Sequence, residues 1–300
     1  MRHRIVGPKN MREQLREHIE SRISAAEPDS SPFPHMIIEN FFPEEIYQKL
    51  IDFNPFHQNA GVEWMGKKAS ADVASATPYY ARKQINFHAG QKFNAPEEQQ
   101  AFWNDLKGIF LDDDWFPALV AKKFPEIFRY RFGDLMDEPD VFSLFRRELF
   151  LQRHEPGYYI GPHTDVPTRV FTCIFSLARE EGWEQYGTEL LAPKDRLDRC
   201  WGNDHYSYDR FQVKKIAPYK PNNFLLFHKT RQSFHSVTSI TDQVPDQRYG
   251  MQFQFYEPTN GLFNDLSAPQ IMHIIRPSRG ALGPSALAKK VAKKLLHAVR

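Results

Sequence analysis

The sequence is short of cysteine, of long apolar runs and of any excess of one charge. Its two cysteines, Cys173 and Cys200, lie far apart, which excludes a disulfide framework and a cysteine-rich zinc site. No run approaches the roughly 18 apolar residues that a membrane-spanning helix needs, and the first residues lack the apolar core of a secretory signal. The formal net charge of +2 gives no reason to expect a nucleic-acid partner. We therefore expect a cytoplasmic protein in a reducing compartment.

The composition is that of a globular protein, with 41% hydrophobic residues, 25% charged residues and 25 Phe in 300 residues. Neither a repeat nor a long flexible linker interrupts the chain. We expect a helical extension over residues 1–32, one main domain over residues 33–278 and a separate tail over residues 279–300.

The tail ends in the amphipathic stretch "SALAKKVAKKLLHAVR". Leu287, Val291 and Leu295 would share one helical face, while lysines would share the other. A solvated helix docked on its own domain is the simpler interpretation. Peripheral contact with a membrane or with a partner protein is the alternative for such a basic helix.

The first half of the main domain reads as helical, and the second half reads as strands. Aromatic residues recur at three and four residue intervals between residues 95 and 132, which predicts two helices with buried faces. After about residue 141 the chain turns to short runs rich in Phe, Val, Ile and Thr, separated by Gly, Pro, Asn and Asp. The predicted strands are "RELFLQRH", "YYIGPHTD", "TRVFTCIFSL", "GTELLA", "VKKIA", "NNFLLF", "SFHSVTSI" and "RYGMQFQFY", and "ARKQINFH" is a further candidate. This order predicts an antiparallel barrel or jelly roll, mainly β with α, covered on one outer face by the N-terminal helices.

The last predicted strand has two different faces. Arg248, Gln252 and Gln254 alternate with the apolar residues Met251 and Phe253. The apolar face needs a cover, which the aromatic helices would supply. The polar face would then line the interior of the barrel, where chemistry can take place.

The motif "HTD" supplies the first candidate ligands. On extended chain His163 and Asp165 point to the same side, so they can share one metal ion. Alone this pattern is weak, but His235 lies on a later predicted strand. Two imidazoles and one carboxylate on one face of a metal leave three positions open, as in the non-haem Fe(II) oxygenases, whereas a structural zinc site closes its coordination shell.

The third element is Arg248, at the start of the last strand and on its polar face. A guanidinium there can bind a carboxylate through two hydrogen bonds. The same face of its own strand holds no acidic residue, which leaves room for the carboxylate of a ligand.

Together, "HTD", "SFHSV" and "RYGMQFQFY" resemble the motif set of the Fe(II) and 2-oxoglutarate dependent oxygenases. The stretches "PFPHMIIENFFPEEIYQKL" and "KPNNFLLF" are most similar to the prolyl-hydroxylase-like branch, and the resemblance covers about residues 33–257. It implies a double-stranded β-helix, with core strands over about residues 141–257. It also implies Fe(II) held by His163, Asp165 and His235, 2-oxoglutarate as co-substrate with O2, and Arg248 binding the remote carboxylate of 2-oxoglutarate.

The resemblance also implies weaker roles for three residues. Ser176 occupies the position of a hydroxyl that assists the arginine, and Gln252 faces the same way as Arg248. Prolyl hydroxylases carry a co-substrate Tyr shortly before the H-x-D motif, at the place held here by Arg153 or His154. Tyr158 and Tyr159 are nearer to the motif and could substitute; we name Tyr159 as the candidate.

The implied reaction is hydroxylation of a C–H bond in a small-molecule or peptide substrate, because Asp165 retains the carboxylate that the halogenases of this family lack. A non-catalytic β-barrel scaffold that keeps the metal is the alternative. A cupin-type metalloenzyme is a third possibility, although the H-x-H pair of cupins is absent here.

The long segment over residues 193–211 is predicted to face the substrate. Its candidate contacts are Trp201, His205, Tyr206 and Tyr208. His154, His228, Lys229 and Arg231 are expected around the site or on the surface, the last two facing an anionic substrate in the alternative interpretation.

Overall fold

The structure is a computed structural model that describes residues 10–57, 81–87, 95–202, 204–238 and 247–257. The predicted tail helix over residues 279–300 lies outside these residues. The α-helices are α1 (Met11–Ala25), α2 (Glu44–Asp52), α3 (Glu97–Lys107), α4 (Trp115–Lys123) and α5 (Pro125–Phe132), with a π-helical turn over Gly108–Asp112 after α3. The strands are β1 (His35–Ile38), β2 (Arg82–Phe87), β3 (Arg146–His154), β4 (Ile160–His163), β5 (Arg169–Ser176), β6 (Thr188–Pro193), β7 (Phe211–Ala217), β8 (Phe224–His228), β9 (Phe234–Val237) and β10 (Arg248–Tyr256).

The strands form two antiparallel sheets. The larger sheet has the order β1-β8-β5-β10-β3-β2, and the smaller one has the order β4-β9-β6-β7. All the predicted strands are present. The candidate "ARKQINFH" becomes β2, an edge strand paired with β3. The expectation of a mainly antiparallel β protein with helices is confirmed.

The outer face of the six-stranded sheet packs against the helices. Met251, Phe253 and Phe255 of β10 are fully buried in one core cluster with residues of the helices, as their alternation predicted. The Phe110 ring lies 5.5 Å from that of Phe175, and the Phe116 ring lies 5.5 Å from that of Phe253, measured between centroids. Edge-to-face contacts of this kind add to the free energy gained by burying the rings.

The first helix belongs to the same core. Asn10 caps α1 by accepting from the Glu13 amide at 2.9 Å, and Leu15, Ile19 and Ile23 bury one face of the helix at four-residue spacing. Ten of the fifteen residues of α1 are charged or polar, so its three buried apolar residues give only a weak pattern in the sequence. Likewise, the aromatic stretch over residues 95–132 forms three α-helices and a π-helical turn rather than the two helices predicted.

The inner face of the six-stranded sheet lies against the four-stranded sheet. Leu225 and Phe227 of β8 pack with Leu190 of β6 and Ala217 of β7. Toward β10, β3 and β2 the same face becomes polar and carries Gln252, Gln254 and Gln152 among others. The predicted polar interior is therefore confined to one side of the space between the sheets.

None of the helices in the described residues has the length and hydrophobicity that a membrane-spanning segment requires.

Candidate metal centre

His163, Asp165 and His235 come together between the two sheets. His163 ends β4 and pairs directly with His235 of β9, and their ring centroids lie 4.3 Å apart. Asp165 follows two residues after His163, and its Oδ1 lies 4.0 Å from Nε2 of His235. One ligand atom from each of the three residues lies within 4.8 Å of the others, so the three can bind a single metal ion.

Backbone carbonyls fix the tautomers of both histidines. Nδ1 of His163 lies 2.9 Å from the Gly161 carbonyl, and Nδ1 of His235 lies 3.0 Å from the Ser233 carbonyl. Because a carbonyl only accepts, each Nδ1 carries the proton and each Nε2 presents a lone pair. Burial lowers the pKa of both rings, and their closeness lowers that of His163 further, so both are neutral donors to a metal.

Both carboxylate oxygens of Asp165 accept hydrogen bonds. Arg169 donates from Nη1 to Oδ1 at 2.8 Å, and the Thr172 hydroxyl donates to Oδ2 at 2.7 Å. Burial raises the pKa of Asp165, but the charge of Arg169 and the hydrogen bond from Thr172 outweigh it, and the pKa lies below its usual range. The carboxylate is therefore ionised and oriented before a metal binds.

Arg169 was not identified from the sequence. It is 9% exposed, and its Nη2 donates to Oε1 of Gln254 and to the Tyr256 hydroxyl, each at 2.6 Å. Strict alternation along β5 would place it on the apolar face with Phe171, but a register shift between Phe255 and Tyr256 turns it inward. In the sequence, the signal for this irregularity was a single arginine among the apolar residues at alternate positions of β5.

Arg248 lies at the other end of the same polar face of β10. Its Nη1 donates to Nδ1 of His154 at 3.0 Å, and its guanidinium lies 5.4 Å from the Tyr219 ring centroid. The Tyr158 ring stacks on that of His154 with centroids 3.9 Å apart. We call these four residues, Arg248, His154, Tyr158 and Tyr219, the Arg248 pocket.

The remaining predicted co-substrate residues are placed as follows. Ser176 pairs with Gly250, so it is a diagonal neighbour of Arg248, and Gln252 is half-buried on the same face as Arg248. Tyr159 is half-buried, and it is Tyr158, not Tyr159, that enters the Arg248 pocket.

The segment between β6 and β7 reaches the metal centre through His205. A β-bridge joins His205 to His163, and their ring centroids lie 5.0 Å apart. Tyr206 is buried with Phe211 and Phe234 and anchors the segment to the smaller sheet. Of the other predicted contacts, Trp201 lies beneath the Arg231 guanidinium at 4.2 Å, and the Tyr208 hydroxyl donates to the Ile160 carbonyl at 3.4 Å.

Lys229 supports the motif rather than facing a ligand. It is 9% exposed, and its ammonium donates to the Thr164 hydroxyl at 3.0 Å and to the carbonyls of Cys200 and Thr230 at 3.3 and 2.8 Å. Burial lowers its pKa to about 8. Three acceptors use all the hydrogens of the ammonium, so Lys229 fixes Thr164 between the two ligands His163 and Asp165.

Two neutral imidazoles and one ionised carboxylate, with the rest of a metal's coordination shell open, are the donor set of non-haem Fe(II) oxygenases. The absence of cysteine ligands and of a fourth protein ligand within the described cluster argues against a closed structural zinc site. The site therefore fits Fe(II) with three positions for other ligands.

Comparison with known proteins gives structural likeness alone. No family model and no curated protein matches the sequence. A prolyl-4-hydroxylase of Pseudomonas putida is 12% identical with a TM-score of 0.43, over 81% of this chain and 99% of the other. The non-heme alpha ketoglutarate dependent epimerase SnoN from nogalamycin biosynthesis is 12% identical with a TM-score of 0.42, over 91% and 96%.

HygX from Streptomyces hygroscopicus, solved with nickel, 2-oxoglutarate and hygromycin B, is 10% identical with a TM-score of 0.42, over 74% of this chain and 82% of the other. The first of these structures is thus a hydroxylase, the second is an alpha ketoglutarate dependent epimerase, and the third was solved with 2-oxoglutarate bound. TM-scores and identities this low carry no argument about activity, which has to come from the residues of the site.

Proposed function

We propose that this chain is an Fe(II) and 2-oxoglutarate dependent oxygenase of the prolyl-hydroxylase-like branch, built on a double-stranded β-helix, that hydroxylates a C–H bond. The observation that carries the proposal is the group of His163, Asp165 and His235, whose ligand atoms lie within 4.8 Å of one another. Both histidines present Nε2, because carbonyls hold their Nδ1 protons.

Bound Fe(II) with 2-oxoglutarate would supply the activation of O2, with release of CO2 and succinate. The chain's own residues would hold and orient the reactants. Arg169 and Thr172 keep the Asp165 carboxylate ionised and fixed, and Arg248 takes the remote carboxylate of 2-oxoglutarate. The His205 ring lies beside that of His163, on the side of the metal centre from which a substrate would approach.

We propose a small-molecule substrate with hydrogen-bonding groups. The inner face of β2 and β3 carries amide side chains: Gln152 donates to Gln84 at 3.3 Å, and Gln84 donates to Asn86 at 2.5 Å. Each amide can form more hydrogen bonds than these two use, so a polar substrate can hydrogen-bond the face, whereas an apolar one would leave that capacity unused.

The test is binding of 2-oxoglutarate to the anaerobic, Fe(II)-loaded protein, followed by the visible charge-transfer absorption, and succinate formation in air. We expect both signals in the unaltered protein, and their loss in Asp165→Ala and His163→Ala. Arg248→Ala should retain the metal but bind 2-oxoglutarate more weakly. His18→Ala, at a half-buried histidine of α1 whose ring contacts the Asn40 carbonyl, is the matched control and should change neither signal.

Metal binding without any binding of 2-oxoglutarate would overturn the proposal. Tightly held zinc together with that result would favour the alternative, a non-catalytic metal-binding scaffold.

A further inference from the structure

The hairpin between β8 and β9 carries an exposed arginine, Arg231, beside the metal centre. The Arg231 carbonyl accepts a hydrogen bond from the Cys200 amide at 2.8 Å. The Cys200 carbonyl in turn accepts from the hydroxyl of Thr164, the middle residue of the candidate metal-binding motif, at 3.2 Å. Two hydrogen bonds therefore connect the hairpin to the motif that carries His163 and Asp165.

The side chain of Arg231 lies over the indole ring of Trp201, with its Cζ atom 4.2 Å from the ring centroid. The negative face of an indole attracts a cation at this distance, so the contact gives the exposed arginine a preferred position. Trp201 is placed between two residues that contact the metal-binding motif, Cys200 and Gly202. A Cβ added to Gly202 would lie 2.3 Å from the carbonyl oxygen of Asp165. The Arg231–Trp201 pair therefore lies beside the loop that carries Asp165.

The contact with the indole leaves the N–H groups of Arg231 available. A cation–π contact uses the charge of the guanidinium and no oxygen acceptor, so its five N–H donors remain for an oxyanion. Within the described part of the chain, the guanidinium of Arg231 forms neither an ion pair nor a hydrogen bond. The two buried carboxylates of this region are used elsewhere, because Asp198 pairs with Arg210 at 2.7 Å and Asp165 pairs with Arg169 at 2.8 Å.

Two further cations without an ion pair lie near Arg231. Arg196 is exposed, and its carbonyl accepts a hydrogen bond of 3.1 Å from Gln232 of the hairpin. The buried ammonium of Lys229 donates only to neutral oxygens, and neither cation forms an ion pair within the described residues. Burial lowers the pKa of Lys229, and the charges of Arg131 and Arg231 lower it further. An anion bound among these cations would gain electrostatic free energy.

We propose that Arg231, supported by Trp201, binds an anionic group of the substrate, so that the oxygenase acts on a small molecule that carries a carboxylate or a phosphate. This inference rests on the proposed function and adds the charge of the substrate to it. The shared chemistry is an oxyanion whose two oxygens match two parallel N–H donors of a guanidinium. The amide groups of β2 and β3 would bind the uncharged part of the same molecule.

The test follows inorganic phosphate by its phosphorus magnetic relaxation, on protein that is loaded with Mn(II) and saturated with 2-oxoglutarate. Paramagnetic Mn(II) speeds the relaxation of a phosphate that binds near it, and we expect a saturable effect with the unaltered protein. Arg231→Gln should weaken the apparent affinity for phosphate about 10-fold, as expected for charge-assisted hydrogen bonds. Arg231→Lys keeps the charge but not the paired donors, and should recover part of the loss.

Arg16→Gln is the matched control. Arg16 of α1 also lies over an indole, with its Cζ atom 5.6 Å from the Trp115 ring centroid, but it pairs with Asp113. This variant should bind phosphate as the unaltered protein does. Trp201→Leu keeps the guanidinium but removes the ring beneath it, so its affinity should lie between those of the unaltered protein and Arg231→Gln.

Competition separates the two kinds of anion. Acetate and methyl phosphate are each titrated against bound inorganic phosphate. Displacement at the lower concentration by acetate would assign a carboxylate to the site, and displacement at the lower concentration by methyl phosphate would assign a phosphate. Either result supports the inference.

The contrary results are distinct. If phosphate bound Arg231→Gln as tightly as the unaltered protein, the anion would bind the metal or another surface, and the inference would be wrong. The absence of any saturable effect would overturn it too. Both results leave the proposed function standing as long as calorimetry shows that 2-oxoglutarate binds the Mn(II)-loaded protein. Failure of 2-oxoglutarate to bind would overturn the proposed function itself.

Discussion

His228, the last residue of β8, is fully buried among aromatic rings on the outer face of the larger sheet. Its ring centroid lies 4.5 Å from that of Phe124, 5.7 Å from that of Phe128 and 5.9 Å from that of Phe171. Burial, and next the charge of Arg131, lower its pKa to about 3. In the folded protein the ring is therefore neutral over the whole physiological range.

This burial predicts a loss of stability in acid. The unfolded chain takes up a proton on this histidine near pH 6.5, whereas the folded protein does so only near pH 3. Between these values the unfolded state binds more protons, so the stability is full above pH 6.5 and is lost as the pH falls toward 3. We expect His228 alone to lower the free energy of unfolding by about 2 kcal/mol between pH 7 and pH 5, measured by urea denaturation.

The contribution of His228 is isolated by difference. His228→Phe cannot take up the proton, so its free energy of unfolding should fall less between the same two pH values, by that same amount. His228→Leu, with a smaller side chain, repeats the comparison in case Phe crowds the site. The same pH dependence in all three proteins would contradict the prediction.

At the scale of single residues, the sequence identified the ligands but not their supports. His163, Asp165 and His235 follow from spacing on extended strands, because side chains alternate with period two. Arg169 could not be placed this way, since the register shift opposite Tyr256 reverses its direction. His154 was expected around the site or on the surface. Its burial depends on the pairing of β2, β3 and β10, which no local pattern reveals.

At the scale of elements, the segment between β6 and β7 touches the metal centre through its backbone. Gly202 has a φ of 142°, and a Cβ added there would lie 2.3 Å from the Asp165 carbonyl oxygen. Only glycine permits this approach. The segment therefore helps to hold the backbone of a candidate metal ligand.

Gly202→Ala should weaken metal binding. The added methyl group must push the segment away from Asp165, and removal of such outer support typically lowers metal affinity about 10- to 100-fold. Gly182→Ala is the matched control, because Gly182 also has a positive φ, 100°, but an added Cβ meets nothing within 4 Å. Calorimetric titration with Mn(II) measures both variants. Equal affinities for the two would show that the contact with Asp165 does not support the site.

The elements themselves were largely predictable where alternation and turn residues coincide. "RYGMQFQFY" gives β10 with the predicted faces, and "TRVFTCIFSL" gives β5. The helices were harder, because helix ends depend on packing. Between residues 95 and 132, a π-helical turn and short breaks divide the predicted pair into four pieces around Phe110 and Phe116.

At the scale of the whole molecule, the candidate site joins the two sheets. The ligands His163 and His235 come from the smaller sheet, whereas Arg169 and Thr172, which donate to Asp165, come from the larger one. Arg248 and His154 extend the same inner face of the larger sheet. Which strands face each other is a long-range property, so local patterns in the sequence identified the groups, and only the family resemblance implied that they share one site.

A ligand that contacts both sheets should stabilise the entire fold. Because metal and 2-oxoglutarate would bind the folded chain and not the unfolded one, each raises the free energy of unfolding, by about 2.7 kcal/mol at a concentration of 100 times the dissociation constant. We expect 2-oxoglutarate to raise the midpoint of thermal unfolding strongly only when Mn(II) is present, since the metal supplies its second anchor. Asp165→Ala should abolish both increases, and Asp134→Ala, an exposed aspartate, should preserve them. If 2-oxoglutarate raised the midpoint equally with and without metal, its binding would not be coupled to the metal centre, and the two ends of the polar face would be independent sites.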